Sequence, residues 1–463
     1  MAENGTMYKR LYLVGIAAYI VMLILSIVFY KERTIFLDAA FALFTIIKDN
    51  CFSIQHYRFG DCCSQVLALL AVKAGLPISQ VALCYSSGIV FYFLFAYFIC
   101  GSILKRYDLA LVILLMNILI VSDTFYFIGS PLAEGVAMLM IVFGMFQGNN
   151  PREITPLMLV VLLFLFVTVI FLHPLVIFVL LFMVIFFLLD EPAIMERKKL
   201  LILLAVYFIG LAVKSIFFRT YYEGSSLSGL KNFVTQFPDY FTIYSNRRFL
   251  YDCLVKYYWI PVLFTGIVVF YAKTGARKKL LLFVAFFFGY LMLANISYPS
   301  DGTGAFYMEA LYLPLSIFLA VPFVFDLLPV MDKQRIAIPV VALIICTGCI
   351  RIYGAHTVYT QRLVLERGYL DKYNSTKVII KAKKSDSKRL IMLWGAPYEF
   401  WLLSTIERSK SASIIIDEEP KIRDWAKDQK KALIVNWNIF PYKDLNPRYF
   451  HFTDTVNGYI VEQ

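Results

Sequence analysis

Asp38 is the only charge in FLDAAFALFTII (Phe36–Ile47), an apolar stretch too short to cross a bilayer. A carboxylate among Phe36, Phe41 and Phe44 is costly to ionise without a partner, and an ionisable group so placed is a candidate for chemistry. As a general base it would accept the proton of an attacking hydroxyl. An Asp that starts a helix also satisfies free backbone N–H groups, and the sequence leaves both readings open. Glu134, in SPLAEG (Ser130–Gly135), is the second candidate. Ser130 as N-cap and Pro131 as first helical residue put this carboxylate in a first turn, where the helix dipole alone also explains an acid. Asp61 and Asp123 read as helix boundaries.

Six of the cations in two long outer segments, Lys31–Pro77 and Arg219–Lys256, stand out as a set: Arg58, Arg219, Lys231, Arg247, Arg248 and Lys256. Guanidinium forks bind phosphate oxygens in pairs, so this set suits a phosphate group. The aromatic run Phe237–Trp259 suits a sugar or lipid surface, although solvated loop charges beside an interfacial aromatic belt have the same pattern. Ser297–Glu309, with Asp301 and Glu309, has the Gly and Pro of a substrate-side loop and equally of an ordinary turn. His173-Pro174 reads as a tight turn. Four histidines without ligand spacing, and Cys62-Cys63 without a second pair, argue against zinc. No nucleophile elbow, HExxH, P-loop or dinucleotide fingerprint is present.

The elements that must hold these residues are membrane helices. The 463 residues are 60% hydrophobic and 16% charged, too apolar for a soluble enzyme. Apolar runs recur at Leu11–Tyr30, Ile78–Leu104, Leu109–Val121, Pro131–Phe146, Pro156–Phe171, Pro174–Leu189, Leu200–Phe218, Tyr257–Ala272, Leu280–Ile296, Ala310–Leu328 and Ile336–Tyr353. That predicts an all-α polytopic membrane protein with about eleven transmembrane helices. With the N-terminus inside, Lys9, Arg10, Lys105, Arg106, Arg152, Arg197–Lys199, Lys273, Arg277–Lys279, Lys333 and Arg335 fall in inner segments. The short outer connections Ser122–Ser130, Leu172–His173 and Ser297–Glu309 hold no Lys or Arg, as the positive-inside rule requires. Much of the net charge of +12 is therefore a topology signal, and no nucleic-acid partner is needed to explain it. The first span is too long for a signal-peptide core and is expected to stay as an anchor.

From Gly354 to Gln463, 31 of 110 residues are charged, against 45 of the 353 before them. This break predicts a membrane domain over residues 1–353 and a small extracytoplasmic C-terminal α/β domain over 354–463. Its expected strands are Arg389–Trp394, Ser413–Ile416 and Ala432–Trp437, with helices at Tyr398–Arg408 and Pro420–Lys431. In the first long outer segment, Phe36–Ile47 and Cys62–Ala74 are expected as helices flat on the interface. Cys51, Cys62, Cys63 and Cys253 are expected outside, with their pairing undecided.

In layout the chain resembles the GT-C class of membrane glycosyltransferases. It has an inside N-terminus, a long first outer loop of flat helices with an acid, short paired spans and an outside α/β tail. SPLAEGVAMLMIVFGMF (130–146) resembles the start of that class's fourth span, and FYMEALYLPLSIFLAVPF (306–323) its late Arg/Tyr-x-Leu-Pro-Leu stretch. Where the class often has an Asp-Glu or Glu-x-Tyr pair, this chain has Asp38-Ala39-Ala40. The resemblance implies transfer of a sugar from a polyprenyl-phosphate donor to a lipid, glycan or protein acceptor, at the outer face of a bacterial inner membrane. Asp38 would be the base, with the leaving phosphate met by Arg58, Arg219, Arg247, Arg248 and Lys256. Glu134 would orient the acceptor or share a divalent cation with Asp38. Two other classes remain in play: a transporter or flippase, which needs ionisable groups deep in spans such as Lys214, and a non-catalytic scaffold whose tail binds a partner.

Overall fold

The structure is a computed structural model that describes residues 2–146, 156–190, 197–221, 224, 227–299, 304–332, 335–373, 377–383, 389–417, 429–435 and 438–462. It is mostly helical. The helices that carry the argument are α1 (Ala2–Val28), α2 (Tyr30–Thr34), α3 (Leu37–Asp49), α4 (Cys62–Lys73), α5 (Ile78–Phe98), α6 (Tyr107–Leu119), α7 (Pro131–Phe146), α8 (Pro156–Leu172) and α9 (Val176–Leu188). They continue as α10 (Arg197–Phe217), α11 (Tyr244–Val255), α12 (Trp259–Thr274), α13 (Arg277–Ser297), α14 (Ala305–Leu311), α15 (Leu313–Pro322), α16 (Ala337–Tyr373) and α17 (Ala396–Arg408).

Among the described residues six helical stretches are long and apolar enough to cross a membrane, and a seventh if α11 and α12, bent by 90°, form one span. Four more of the expected spans are apolar helices of only 13 to 17 residues: α6, α7, α8 and α9. A helix apolar on every side belongs in the middle of a bundle. Accordingly α6 is buried from Leu109 to Leu119, with α1, α5, α15 and α16 around it. By contrast, α10 buries only Leu200, Leu203, Tyr207 and Lys214 and lies at the edge.

The helix ends fall into two groups. At one, the Tyr8 hydroxyl donates to Val324 O (2.5 Å), Arg106 pairs with Asp108 (2.7 Å), and Lys279 joins Asp190 to Asp326. At the other, which carries Asp38, Lys256 pairs with Asp123 (2.7 Å) and Asn232 donates to Ser297 O (3.2 Å). Close approach there depends on a missing side chain: a Cβ on Gly88 of α5 would lie 2.5 Å from Ser64 O of α4.

The expected span Ile336–Tyr353 is part of a single 37-residue helix, α16. At 1.5 Å per residue this is about 55 Å, nearly twice a hydrocarbon core, so its second half continues beyond the apolar stretch as a stalk, with Tyr359 packed on Phe36 (5.1 Å) and Tyr126 (4.9 Å). The stalk leads to a three-stranded parallel sheet ordered β2 (Ser413–Asp417), β1 (Lys377–Lys381) and β5 (Ile460–Glu462). A hairpin of β3 (Ala432–Val435) and β4 (Asn438–Pro441) stands beside it. The first strand is thus Lys377–Lys381, whose Val378-Ile379-Ile380 run is buried. Arg389–Trp394, expected as a strand, bends instead, with Ile391 at φ 68°. It serves docking, because Leu390 O accepts from Arg362 of the stalk (3.2 Å). Most of the expected helix Pro420–Lys431, together with Asn436 and Trp437, lies outside the described residues.

The tail closes over α3 and α4. Phe44 of α3 meets Trp401 and Tyr398 of α17 edge-on at 5.3 and 5.0 Å, and Trp401 stacks on Phe450 at 4.7 Å. The Tyr449 hydroxyl donates to Leu76 O (3.0 Å). At the rim, Glu407 accepts from Lys31 (2.7 Å) and from both Arg367 nitrogens (2.8 and 2.9 Å).

The Arg367 hydrogen bond, helped by Lys31 and opposed by burial, holds Glu407 down at about 2. A depressed folded-state pKa contributes stability above the unfolded value, about 4.3, and loses it as pH falls toward the folded one. Glu407→Gln should therefore lower the melting temperature at neutral pH, and the gap from wild type should close between about pH 4 and pH 2. Thermal unfolding in detergent over a pH series checks this.

Candidate functional site

The site grows from the start of α3. Leu37, fully buried, sits at φ 41°, a left-handed conformation that costs an L-residue about 1–2 kcal/mol. Such a backbone persists only where its surroundings over-determine it. Here they do: the Leu37 N–H donates to Glu399 Oε1 of the tail (2.6 Å), and Ile35 O accepts from Arg362 of the stalk (2.9 Å). Arg362 also pairs with Glu366 (2.7 Å) and with Glu399. Of the two readings left open for Asp38, the cap is made instead by Glu399, while Phe36 at the N-cap position bonds nothing with its side chain. Asp38, half-buried one residue on, is left to face elsewhere.

Asp38 accepts from the Tyr307 hydroxyl of α14 (3.5 Å). Burial pushes its carboxyl up to about 6, against the pull of Tyr307 and the Arg58 charge. A carboxylate so poised is a competent base near neutral pH. Arg58 also opposes the upward push of burial on Asp61. Asp38, Asp61 and Glu134 all lie within electrostatic reach of the buried Tyr85 of α5. Glu134 is 1% exposed, in the first turn of α7, and neither carboxyl oxygen has a hydrogen-bond partner among the described residues. Its neighbour Ser64 donates to Asp61 O (3.1 Å). The three acids and Arg58 thus form one loose constellation where α3, α4, α5 and α7 meet. No group of three His, Cys, Asp or Glu that could hold a metal occurs among the described residues. All eight cysteines are free.

The remaining expected residues divide. Arg219 and Arg247 are exposed, and Arg247 donates to Thr242 O (2.7 Å). Arg248 pairs with Asp252 along α11 (3.0 Å), next to the exposed apolar Leu250 and Leu254. Lys256 is taken up by Asp123. Glu309, expected to meet substrate, instead ties a turn: it accepts from the Ser122 N–H (2.6 Å), the Thr124 N–H (2.7 Å), the Thr124 hydroxyl (2.6 Å) and the Tyr257 hydroxyl (2.7 Å). Three of these donors meet Oε1 and one, the Tyr257 hydroxyl, meets Oε2. Lys256 and Glu309 thus both have structural partners, Glu309 also lining the cavity beside Arg33, and Asp301 lies outside the described residues.

Four residues at the site escaped the sequence reading: Tyr307, Arg362, Glu399 and Arg33. Arg33 is buried with no acid beside it among the described residues. It donates to Ser86 Oγ (2.8 Å), Ser86 O (3.0 Å) and Phe125 O, and stacks 4.0 Å over the Phe125 ring. It lines a cavity of about 70 Å³ with Tyr19, Asn117, Thr124 and Phe127. Phe127 packs on Tyr307 (5.1 Å), the residue whose hydroxyl reaches Asp38. The charged run Lys31-Glu32-Arg33 between an apolar span and an apolar helix was the available signal.

Compared with protein-family models, with curated proteins and with solved structures, the chain gives no match.

Glu309→Ala should be strongly destabilising, since it strands the Ser122 and Thr124 amides at about 1–3 kcal/mol each. Glu309→Gln, which keeps an accepting oxygen, should lose less. Melting temperatures in detergent distinguish this from a substrate-binding role, which would leave stability unchanged.

Proposed function

We propose that the chain is a membrane glycosyltransferase that moves a sugar from a polyprenyl-phosphate donor to a lipid, glycan or protein acceptor on the outer face of a bacterial inner membrane. One observation carries the reading: the Asp38 carboxylate, poised at about 6 beside Arg58 and Tyr307. In this reading the eleven apolar helices are crossings, the N-terminus is inside, and the basic loops keep the tail outside.

Asp38 takes the proton of the acceptor hydroxyl. The oxygen attacks the anomeric carbon of the donor, the bond from that carbon to the phosphate oxygen breaks, and polyprenyl phosphate leaves with its electron pair. Arg58 is the cation best placed to meet that charge, because its field already reaches Asp38. Arg219, Arg247 and Arg248 lie farther out on a segment whose exposed Phe241, Leu250 and Leu254 suit the lipid interface. There they would gather the anionic donor rather than activate it.

A second reading, a transporter or flippase, draws on Glu134 and on Lys214, which is 3% exposed inside α10. Mass spectrometry of envelope glycans and glycolipids from a deletion strain separates the two. Glycosyl transfer predicts a product short of one sugar, restored by wild type, with Asp38→Asn slower by about 10²–10⁴. Restoration by Asp38→Asn at the wild-type level would remove Asp38 from the chemistry, and an unchanged glycan profile would favour transport. Transfer should also rise with pH through about 6, because Asp38 acts in its deprotonated form.

A further inference from the structure

We infer that Glu399 is a positioning residue for Asp38: the C-terminal domain, through Glu399 and its partner Arg362, sets the start of the helix that presents the reacting carboxylate. The inference rests on the reading of Asp38 as that carboxylate. Three observations carry it.

The contact is specific. Of all the groups the tail presents, a carboxylate oxygen meets the Leu37 N–H at 2.6 Å, one of the donors that a helix start leaves unsatisfied. The backbone it grips is the strained one, since Leu37 is the residue with φ 41° and Asp38 follows directly. The fit is also tight behind it: a Cβ on Gly395, at the start of α17, would lie 3.0 Å from Leu37 Cα and from Glu399 Oε1. Arg362 then fixes the gripping residue, because one guanidinium reaches Glu399, Glu366, Ile35 O and Leu390 O. Mere docking needs none of this. The Glu407 clamp with Lys31 and Arg367 joins the same two parts of the chain without touching α3.

The charged and titratable groups around Asp38 are Arg58 from the loop before α4, Tyr307 from α14 and Tyr85 from α5, with Asp61 and Glu134 also within electrostatic reach of Tyr85. On the tail side Tyr398 of α17 lies against Phe41 at 5.3 Å. A loosened helix start would let water reach Asp38 and reduce the burial that raises its pKa.

The test uses the full-length protein in lipid nanodiscs. Asp38 is labelled with a hydrophobic carbodiimide, which reacts with protonated carboxyls, and the labelled peptide is quantified by mass spectrometry across a pH series. Wild type should show half-maximal labelling near pH 6. Glu399→Ala should move that midpoint toward the ordinary Asp value by about one unit or more. Glu399→Gln, whose amide oxygen can still accept the Leu37 N–H, should stay close to wild type, and Glu407→Ala should superimpose on it. A Glu399→Ala profile identical to wild type, or an equal shift in Glu407→Ala, would overturn the inference. Should Glu399→Ala fail to fold, Gly395→Ala takes its place, with a shift expected and its absence contrary. Glycan analysis of Asp38→Asn is independent of these profiles. Normal product there would end the glycosyltransferase reading, while the labelling still decides whether Glu399 positions Asp38.

Discussion

The buried guanidinium of Arg362 is the interaction on which the arrangement of the site depends. A charge taken out of water is tolerated only with partners on most of its donors, and losing one such partner typically costs about 3–5 kcal/mol. Arg362 has two carboxylates and two backbone carbonyls, drawn from the stalk, the tail and the segment just before α3. None of these parts can shift alone without stranding the charge. The position of Asp38 follows from this constraint, since Ile35, Leu37 and Asp38 lie within four residues of each other and two of them are held by the cluster.

Elsewhere charge is handled so that little is left free inside the bundle. Lys279 bridges Asp190 and Asp326, and Asp326 also accepts from the Tyr271 hydroxyl (2.6 Å). At the Asp38 end, Lys256 meets Asp123, Glu309 closes the turn that follows α6, and Arg351 donates to Val121 O (3.2 Å) and Lys256 O (2.8 Å). These networks hold short helices in register where lipid supplies no hydrophobic drive between them. Against that background the Asp38, Asp61, Glu134 and Arg58 constellation stands apart. Glu134 is buried and Asp38 and Asp61 are half-buried, none of them in a salt bridge among the described residues, and Glu134 keeps both oxygens without a hydrogen bond there. Buried acids left in that condition are where chemistry or ligand binding is expected.

The apolar runs and the two short helices after the first span were legible in the sequence because each is a local pattern. Composition and periodicity report what one segment does by itself. The functions of Glu309 and Lys256 were not legible, since a buried acid that ties a turn and an acid that meets a substrate have the same one-letter code. Glu399 was hidden more deeply: its partner Leu37 is 362 residues away, and nothing in YEFW marks a cap for so distant a helix. Arg389–Trp394 has strand composition, yet its backbone is taken by the stalk arginine. The stalk was missed because hydropathy falls after Tyr353 while the helix continues to Tyr373.

The central claim is that this end of the bundle handles a polyprenyl phosphate beside Asp38 and Arg58. Native mass spectrometry of the purified protein with polyprenyl phosphate and with the matching polyprenol tests it most directly. The account predicts that the phosphate form is retained in preference to the alcohol, and that Arg58→Gln reduces this preference while Lys256→Gln does not. Equal retention of phosphate and alcohol, unaffected by Arg58→Gln, would contradict it.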